Sequence, residues 1–135
     1  MTMIEVIPVD GKDFAVVNAD APVIKDEKSA KDLMIMIKNN AKTPFFCINA
    51  EGVADDFFDL DTGFANKVLD MYRNYHMKFA VFGDITRFTN DNVPLQEFIE
   101  ETNKGYDAFI VVDQEEAIKC LYKVSDEFSK DLSVE

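Results

Sequence analysis

Three short apolar runs recur along this chain: P-F-F-C-I-N (residues 44–49), K-F-A-V-F-G-D (78–84) and A-F-I-V-V-D (108–113). None alternates with polar residues, so each suits a strand covered on both faces. Stretches of helical periodicity lie between and after them. Buried strands alternating with amphipathic helices restrict the chain to an α/β fold with a mostly parallel sheet and right-handed crossovers.

The rest of the chain extends that pattern. M-I-E-V-I-P-V and D-F-A-V-V-N-A flank Asp10-Gly11, a dipeptide that favours a hairpin. Pro8 cannot donate to a ladder, which places the first strand at an edge, the antiparallel exception in the sheet. A first helix is expected over residues 27–39, with Ala30, Leu33, Met34 and Ile37 inside. Asp26 with Ser29, or Ser29 with Asp32, would cap it, and Asn39-Asn40 would end it. A second helix buries Phe64, Ala65, Val68, Leu69, Tyr72 and Tyr75, and keeps Asn66, Lys67, Asp70, Arg73 and Asn74 wet. Residues 85–92 read as loop. Pro94 opens a third helix with Leu95, Phe98, Ile99 and Thr102 inside, and Gly105 closes it as its C′ residue. Asp113 and Glu116 cap the last helix, which buries Ala117, Ile118, Leu121 and Phe128. The expected order is β-β-α-β-α-β-α-β-α: one domain of 135 residues, a five-stranded sheet and four helices. The tail from about Ser129 is expected to fray.

Charge narrows the function. The net charge is −12, from 26 acids against 14 lysines and arginines. Such a surface repels phosphate backbones and anionic lipid, which argues against nucleic-acid or membrane partners. The amino terminus lacks a basic segment before an apolar one, and no apolar run is long enough to span a bilayer. Cys47 and Cys120 fall in core elements and read as inert thiols in a reducing cytoplasm.

Ligands in open α/β sheets bind beyond the carboxyl ends of the strands. Three connections lie there: residues 50–62, residues 84–92 and the turn at Asp113. The first is long and contains D-D-F-F-D-L-D-T-G (55–63). As a calcium loop it fails. From Asp59, the fifth position is Gly63, without a side-chain oxygen, and the sixth is Phe64, where glycine is required. No metal site and no cofactor are assigned. As a catalytic acid pair it lacks a local His, Cys or Lys. His76, the sole histidine, sits where a helix carboxyl end favours it, and Cys47 is mid-strand. The bland reading is that Asp59, Asp61 and Thr62 cap the second helix while Phe57 and Phe58 cover the end of the core.

The run F-F-D-L-D-T-G (57–63), its helix, the strand ending in Gly83-Asp84, and F-I-E-E-T-N-K-G (98–105) together resemble the bacterial domain of unknown function 4180. The likeness covers about residues 24–121 and implies a compact cytoplasmic bacterial protein without an assigned activity. More distantly, L-D-T-G (60–63) is similar to the phosphorylatable segment of STAS domains, the anti-sigma-factor-antagonist fold. That likeness implies a STAS-like architecture with Thr62 as candidate phosphorylation site. A receiver domain is not indicated: Asp20 stands alone after the second strand, and no lysine ends the A-F-I-V-V strand.

The reading is a non-enzymatic regulatory or protein-interaction module, working through Phe57, Phe58, Asp59, Asp61, Thr62, Asp84 and Arg87 on an unidentified protein partner. The alternative is a small-ligand binder or enzyme using Asp84, Arg87, Asn103 and Lys104.

Overall fold

A computed structural model describes the backbone of residues 2–133 and the side chains of residues 2–125. The sheet has five strands: β1 (Thr2–Val9), β2 (Lys12–Ala19), β3 (Phe45–Asn49), β4 (Lys78–Phe82) and β5 (Ala108–Val111). They lie side by side in sequence order, β1 antiparallel to β2 and the remaining pairs parallel. The helices are α1 (Glu27–Met36), α2 (Phe64–Asn74), the single turn α3 (Thr86–Thr89), α4 (Val93–Asn103) and α5 (Gln114–Ser133). The expected mostly parallel α/β architecture with an amino-terminal hairpin is the one observed. Phe128 and the tail from Ser129 have side chains outside the described residues.

Strand alternation divides the interior into two cores. Ala15, Val17, Phe46, Ile48, Phe79, Val81, Ala108 and Ile110 face one way, under α1, α2 and α4. Phe14, Val16, Phe45, Cys47, Ala80, Phe82 and Phe109 face the other way, under Ala117, Leu121 and Val124 of α5. The strand order explains the arrangement. Successive right-handed crossovers that step in one direction across a sheet deliver their helices to one face. Only α5, which follows the last strand, is free to cover the other.

Local chemistry sets the boundaries. Asp10 and Gly11 both adopt positive φ, 52° and 82°, which a two-residue primed turn requires. Asp26 and Ser29 form a reciprocal capping box, so the first of the two expected caps is used. Asn39-Asn40 does not end the helical path. Both lie in a π turn (Ile37–Ala41) that closes at Lys42 in the left-handed region. Residues 85–92 are not wholly loop, because α3 forms within them. Gly105 follows the α4 cap and donates to Thr102 O without entering the left-handed region. Tyr75 is exposed rather than buried, and its ring receives the ammonium groups of Lys31 and Lys38.

The α1-side core centres on an aromatic cluster. Tyr72 packs against Phe46 and Phe79 at ring separations of 5.4 and 5.1 Å. Its hydroxyl donates to Ala30 O at 2.8 Å, which links α2 to α1. Tyr72→Phe keeps the rings and removes that bond, so it is expected to cost about 1 kcal/mol in denaturant unfolding.

Asp107, just before β5, accepts from Lys78 at 2.7 Å and from Arg73 at 3.0 Å. Burial opposes its charge, yet the two cations outweigh burial and hold its pKa below the usual carboxylate value. A folded-state pKa below the unfolded one gives stabilisation that is present near neutral pH. It is lost as pH falls through the folded value. Asp107→Asn is therefore expected to lower stability near neutral pH by about 1 kcal/mol, after discounting for solvent screening. It should make no difference in strong acid, and urea unfolding under both conditions checks this.

Candidate functional site

The three loops at the carboxyl ends of the parallel strands are laced together. Asn49, at the end of β3, uses its side-chain amide as a surrogate strand. It accepts from Ala19 N at 2.9 Å and donates to Ala19 O at 2.7 Å. Further out, Val23 N and Ile24 N donate to Gly52 O, and Ala54 N donates to Ile24 O. These bonds tie the loop after β2 to the loop after β3.

The acidic stretch is a series of three short 3-10 turns, Ala50–Gly52, Asp55–Phe58 and Leu60–Thr62. Phe57 and Phe58 are 1% and 2% exposed. They cover the end of the core and are not available to a docking partner on the surface. Phe58 stacks on Phe88 at 4.7 Å. The Arg87 guanidinium lies 4.0 Å from the Phe88 ring and donates to Asp55 at 3.0 Å. This clamp joins the loop after β3 to the loop after β4, and it accounts for Arg87 through a surface carboxylate rather than a ligand. Phe57→Ala is expected to cost about 3–5 kcal/mol, as for a core aromatic. Arg87→Ala should cost no more than about 1 kcal/mol, because its ion pair is exposed. Chemical denaturation of the two variants distinguishes core from rim.

Thr62 is exposed, and its hydroxyl is engaged. It lies 2.8 Å from both Asp56 O and Asp59 O, to which it donates, and it accepts from Phe64 N at 3.2 Å. Asp59 caps the last turn through Asp61 N. The N-cap position of α2 falls on Gly63, at φ 70°, so the sequence-based assignment of that cap to Asp59, Asp61 or Thr62 falls short of it, by one residue for Thr62. Thr62 still bonds the first N–H of the helix. Among the described residues, no three His, Cys, Asp or Glu side chains converge as metal ligands would.

On the other side of α3 a cleft opens. It has a volume of about 390 Å³ and is lined mainly by Ile85, Ile99, Ile110, Val111 and Val112, with Asp84, Thr86 and Thr89 as its polar groups. That size and composition suit a small organic group. Gly83 follows β4 at φ 135°, and a Cβ there would lie 3.3 Å from the Ala50 Cβ. The close approach of two loops at the cleft floor thus depends on glycine. Asp84 Oδ1 accepts from Thr86 N at 3.0 Å and from Thr86 Oγ1 at 2.7 Å. The backbone bond first, then the hydroxyl, lowers the Asp84 pKa below its ordinary value, so the carboxylate stays ionised. No hydrogen bond within the described residues engages Oδ2.

The structure brings only Asp84, of the sequence-derived candidates, into this cleft. Arg87, Thr62, Asp59 and Asp61 lie on the acidic-loop side of α3. Asn103 and Lys104 border a separate hollow with Tyr106, Phe109 and Lys123. Asn103 is committed to β5, accepting from Ile110 N at 2.7 Å and donating to Ile110 O at 2.9 Å. The sequence reading did not assign Ile85, Ile99 and Val112 to any site. The available signal was positional, a valine at the carboxyl end of the A-F-I-V-V run, and Val112 proves to be 75% exposed.

Cys47 is fully buried, and burial pushes its thiol pKa up to about 12. Cys120 is partly exposed, and burial raises its pKa as well. Thiol labelling of the native protein is expected to modify Cys120 slowly and Cys47 only on unfolding, and mass spectrometry of timed samples reads both.

No helix among the described residues is long and apolar enough to cross a membrane. No curated protein and no solved structure matches the chain significantly. A family described as a domain of unknown function (DUF4180) matches residues 9–121, from the end of β1 into α5. That span contains the laced loops, the clamp and the cleft, and the chain belongs to this family of unknown function.

Proposed function

We propose that this protein is a non-enzymatic binding module whose recognition site is the cleft beside Asp84. The observation that carries the reading is a half-committed carboxylate on the rim of an apolar hollow. One oxygen is held by Thr86, and the other accepts no hydrogen bond from the described residues. The apolar walls favour a hydrocarbon or aromatic body, and the carboxylate favours a cationic or hydrogen-bond-donating end. Anionic ligands are disfavoured, since Asp84 is the one ionisable side chain in the lining. The same lining favours binding over catalysis, for it pairs Asp84 with no second acid, base or nucleophile. The ligand is a free amine or the side chain of a protein partner. In the second case the module is the regulatory or interaction protein expected from the sequence.

The test uses phenethylammonium and its anionic counterpart phenylacetate as probes, followed by amide chemical shifts. Phenethylammonium is expected to move Asp84, Thr86 and Val112, and phenylacetate is not. Asp84→Asn should weaken the cation about tenfold, the worth of one exposed charge-assisted bond. Equal shifts with both probes, or none at these residues, would contradict the reading.

A second reading concerns Thr62. Phosphorylation there would remove the proton that holds Asp56 O and Asp59 O, and place a dianion beside Asp59 and Asp61. Such a mark would loosen residues 55–63 and, through the Phe58–Phe88 stack, the α3 rim of the cleft. Thr62→Glu is expected to speed amide exchange over residues 55–63 by tenfold or more, with Thr62→Ser unchanged. Equal exchange in the two variants would exclude Thr62 as a switch.

A further inference from the structure

The two edges of the sheet differ. At β5, a strand of four residues, Asn103 occupies the outward N–H and C=O of Ile110. At β1 the edge is eight residues long, and no strand among the described residues pairs with its outer side. Asn49 bonds Ala19 on the β3 side, so the odd-numbered residues of β2 point to β3 and the even-numbered ones to β1. The register then pairs Met3 with Asn18, Glu5 with Val16 and Ile7 with Phe14 through hydrogen bonds. It leaves the backbone groups of Thr2, Ile4 and Val6 pointing away from the sheet. Pro8 falls in the same outward set, where its missing N–H costs nothing. The side chains are exposed as well, Met3 at 66%, Ile4 at 38% and Val6 at 41%. The hairpin that carries them is held firmly. Lys12 donates to Ser125 of α5 at 3.0 Å, and Tyr122 donates to Asp10 at 2.9 Å.

We propose that β1 pairs antiparallel with β1 of a second copy, joining two sheets about a two-fold axis. An antiparallel pair of identical edges has few registers available. Centring the axis on Ile4 sets Ile4 against Ile4 of the second copy and Thr2 against its Val6. All outward N–H and C=O groups of these residues are then paired. Met3 faces the second copy's Glu5 on the α5 side of the sheet, and Ile4 and Val6 form a joint apolar strip on the α1 side. Centring on Glu5 instead would oppose two glutamates directly, which cross-strand packing penalises. Centring on Val6 would set Ile4 against Pro8, which has no N–H to give, and centring on Met3 would leave Val6 without a partner, so the Ile4 register alone pairs every outward group of Thr2, Ile4 and Val6. Because Asn103 blocks the β5 edge, the pairing closes at two copies and does not propagate into a fibre. The net charge of −12 opposes association, so the dimer strengthens as salt screens that repulsion.

The test combines sedimentation velocity from micromolar to millimolar protein with residue-resolved amide exchange. A monomer–dimer equilibrium is expected. The amides of Ile4 and Val6 should exchange at least tenfold more slowly in the concentrated sample. Those of Glu5 and Ile7, bonded to β2, are protected throughout. Ile4→Pro removes an outward donor that no intrachain bond uses, and should abolish the dimer while the melting temperature is kept. Met3→Lys sets a lysine against the second copy's Glu5 and should tighten the dimer several-fold. Adding Glu5→Lys to it should reverse that gain. A monomer at every concentration overturns the proposal, and so does a dimer whose Ile4 and Val6 amides stay unprotected.

Discussion

The pleat of four parallel strands governs this molecule. Each of β3, β4 and β5 is too apolar to face water on either side, so both faces of the sheet must be covered. Alternate residues of one strand serve different cores: Phe46 and Ile48 lie under α1 and α2, and Phe45 and Cys47 lie under α5. A one-residue slip in any strand would exchange the two sets. The sequential strand order follows the same constraint, because it sends the three crossover helices to one face and leaves α5 to close the other.

That order gathers the loops after β2, β3, β4 and β5 at one end of the sheet. Without a reversal in strand order, no crevice opens between diverging loops at the centre of the sheet. The loops after β2, β3 and β4 instead lean on one another through Asn49, Gly52, Ile24 and the Phe58–Phe88–Arg87 clamp. The open space lies further across, between α3, α4 and the end of β5, the last strand of the sheet. Asp84 is the point at which the laced region and the cleft meet.

The sequence carried the fold well because its signals were local. Asp10-Gly11, the capping residues Asp26 and Ser29, and the three continuous apolar runs each specify their own element. The amphipathic pattern of α2 was equally direct, apart from Tyr75, which a helical wheel places inward. At the C-cap of the helix, where the backbone leaves the helical path, the ring turns outward toward Lys31 and Lys38. The site was legible only in part. Asp84 was identified because the end of a strand is visible in sequence. Asn49 looked like an ordinary polar residue and Asn103 like a ligand-binding candidate, since the role of each depends on backbone groups 30 and 7 residues away. Phe57 and Phe58 drew attention as a possible surface because they sit among aspartates. The three short turns roll them into the core and leave the acids outside, a geometry without periodicity.

The central claim is that the carboxyl-end cleft is where this protein meets its ligand. Isoleucine methyl groups offer the most direct measurement, because Ile85, Ile99 and Ile110 border the cleft, Ile24, Ile37 and Ile48 are core, and Ile4 marks the β1 edge. Methyl spectra of the labelled protein would be recorded with and without the soluble extract of the native host, its proteins as well as its small molecules. Selective movement of the Ile85, Ile99 and Ile110 signals, lost in Asp84→Asn, is the predicted result. Unchanged cleft methyls, or movement that persists in Asp84→Asn, would contradict the account.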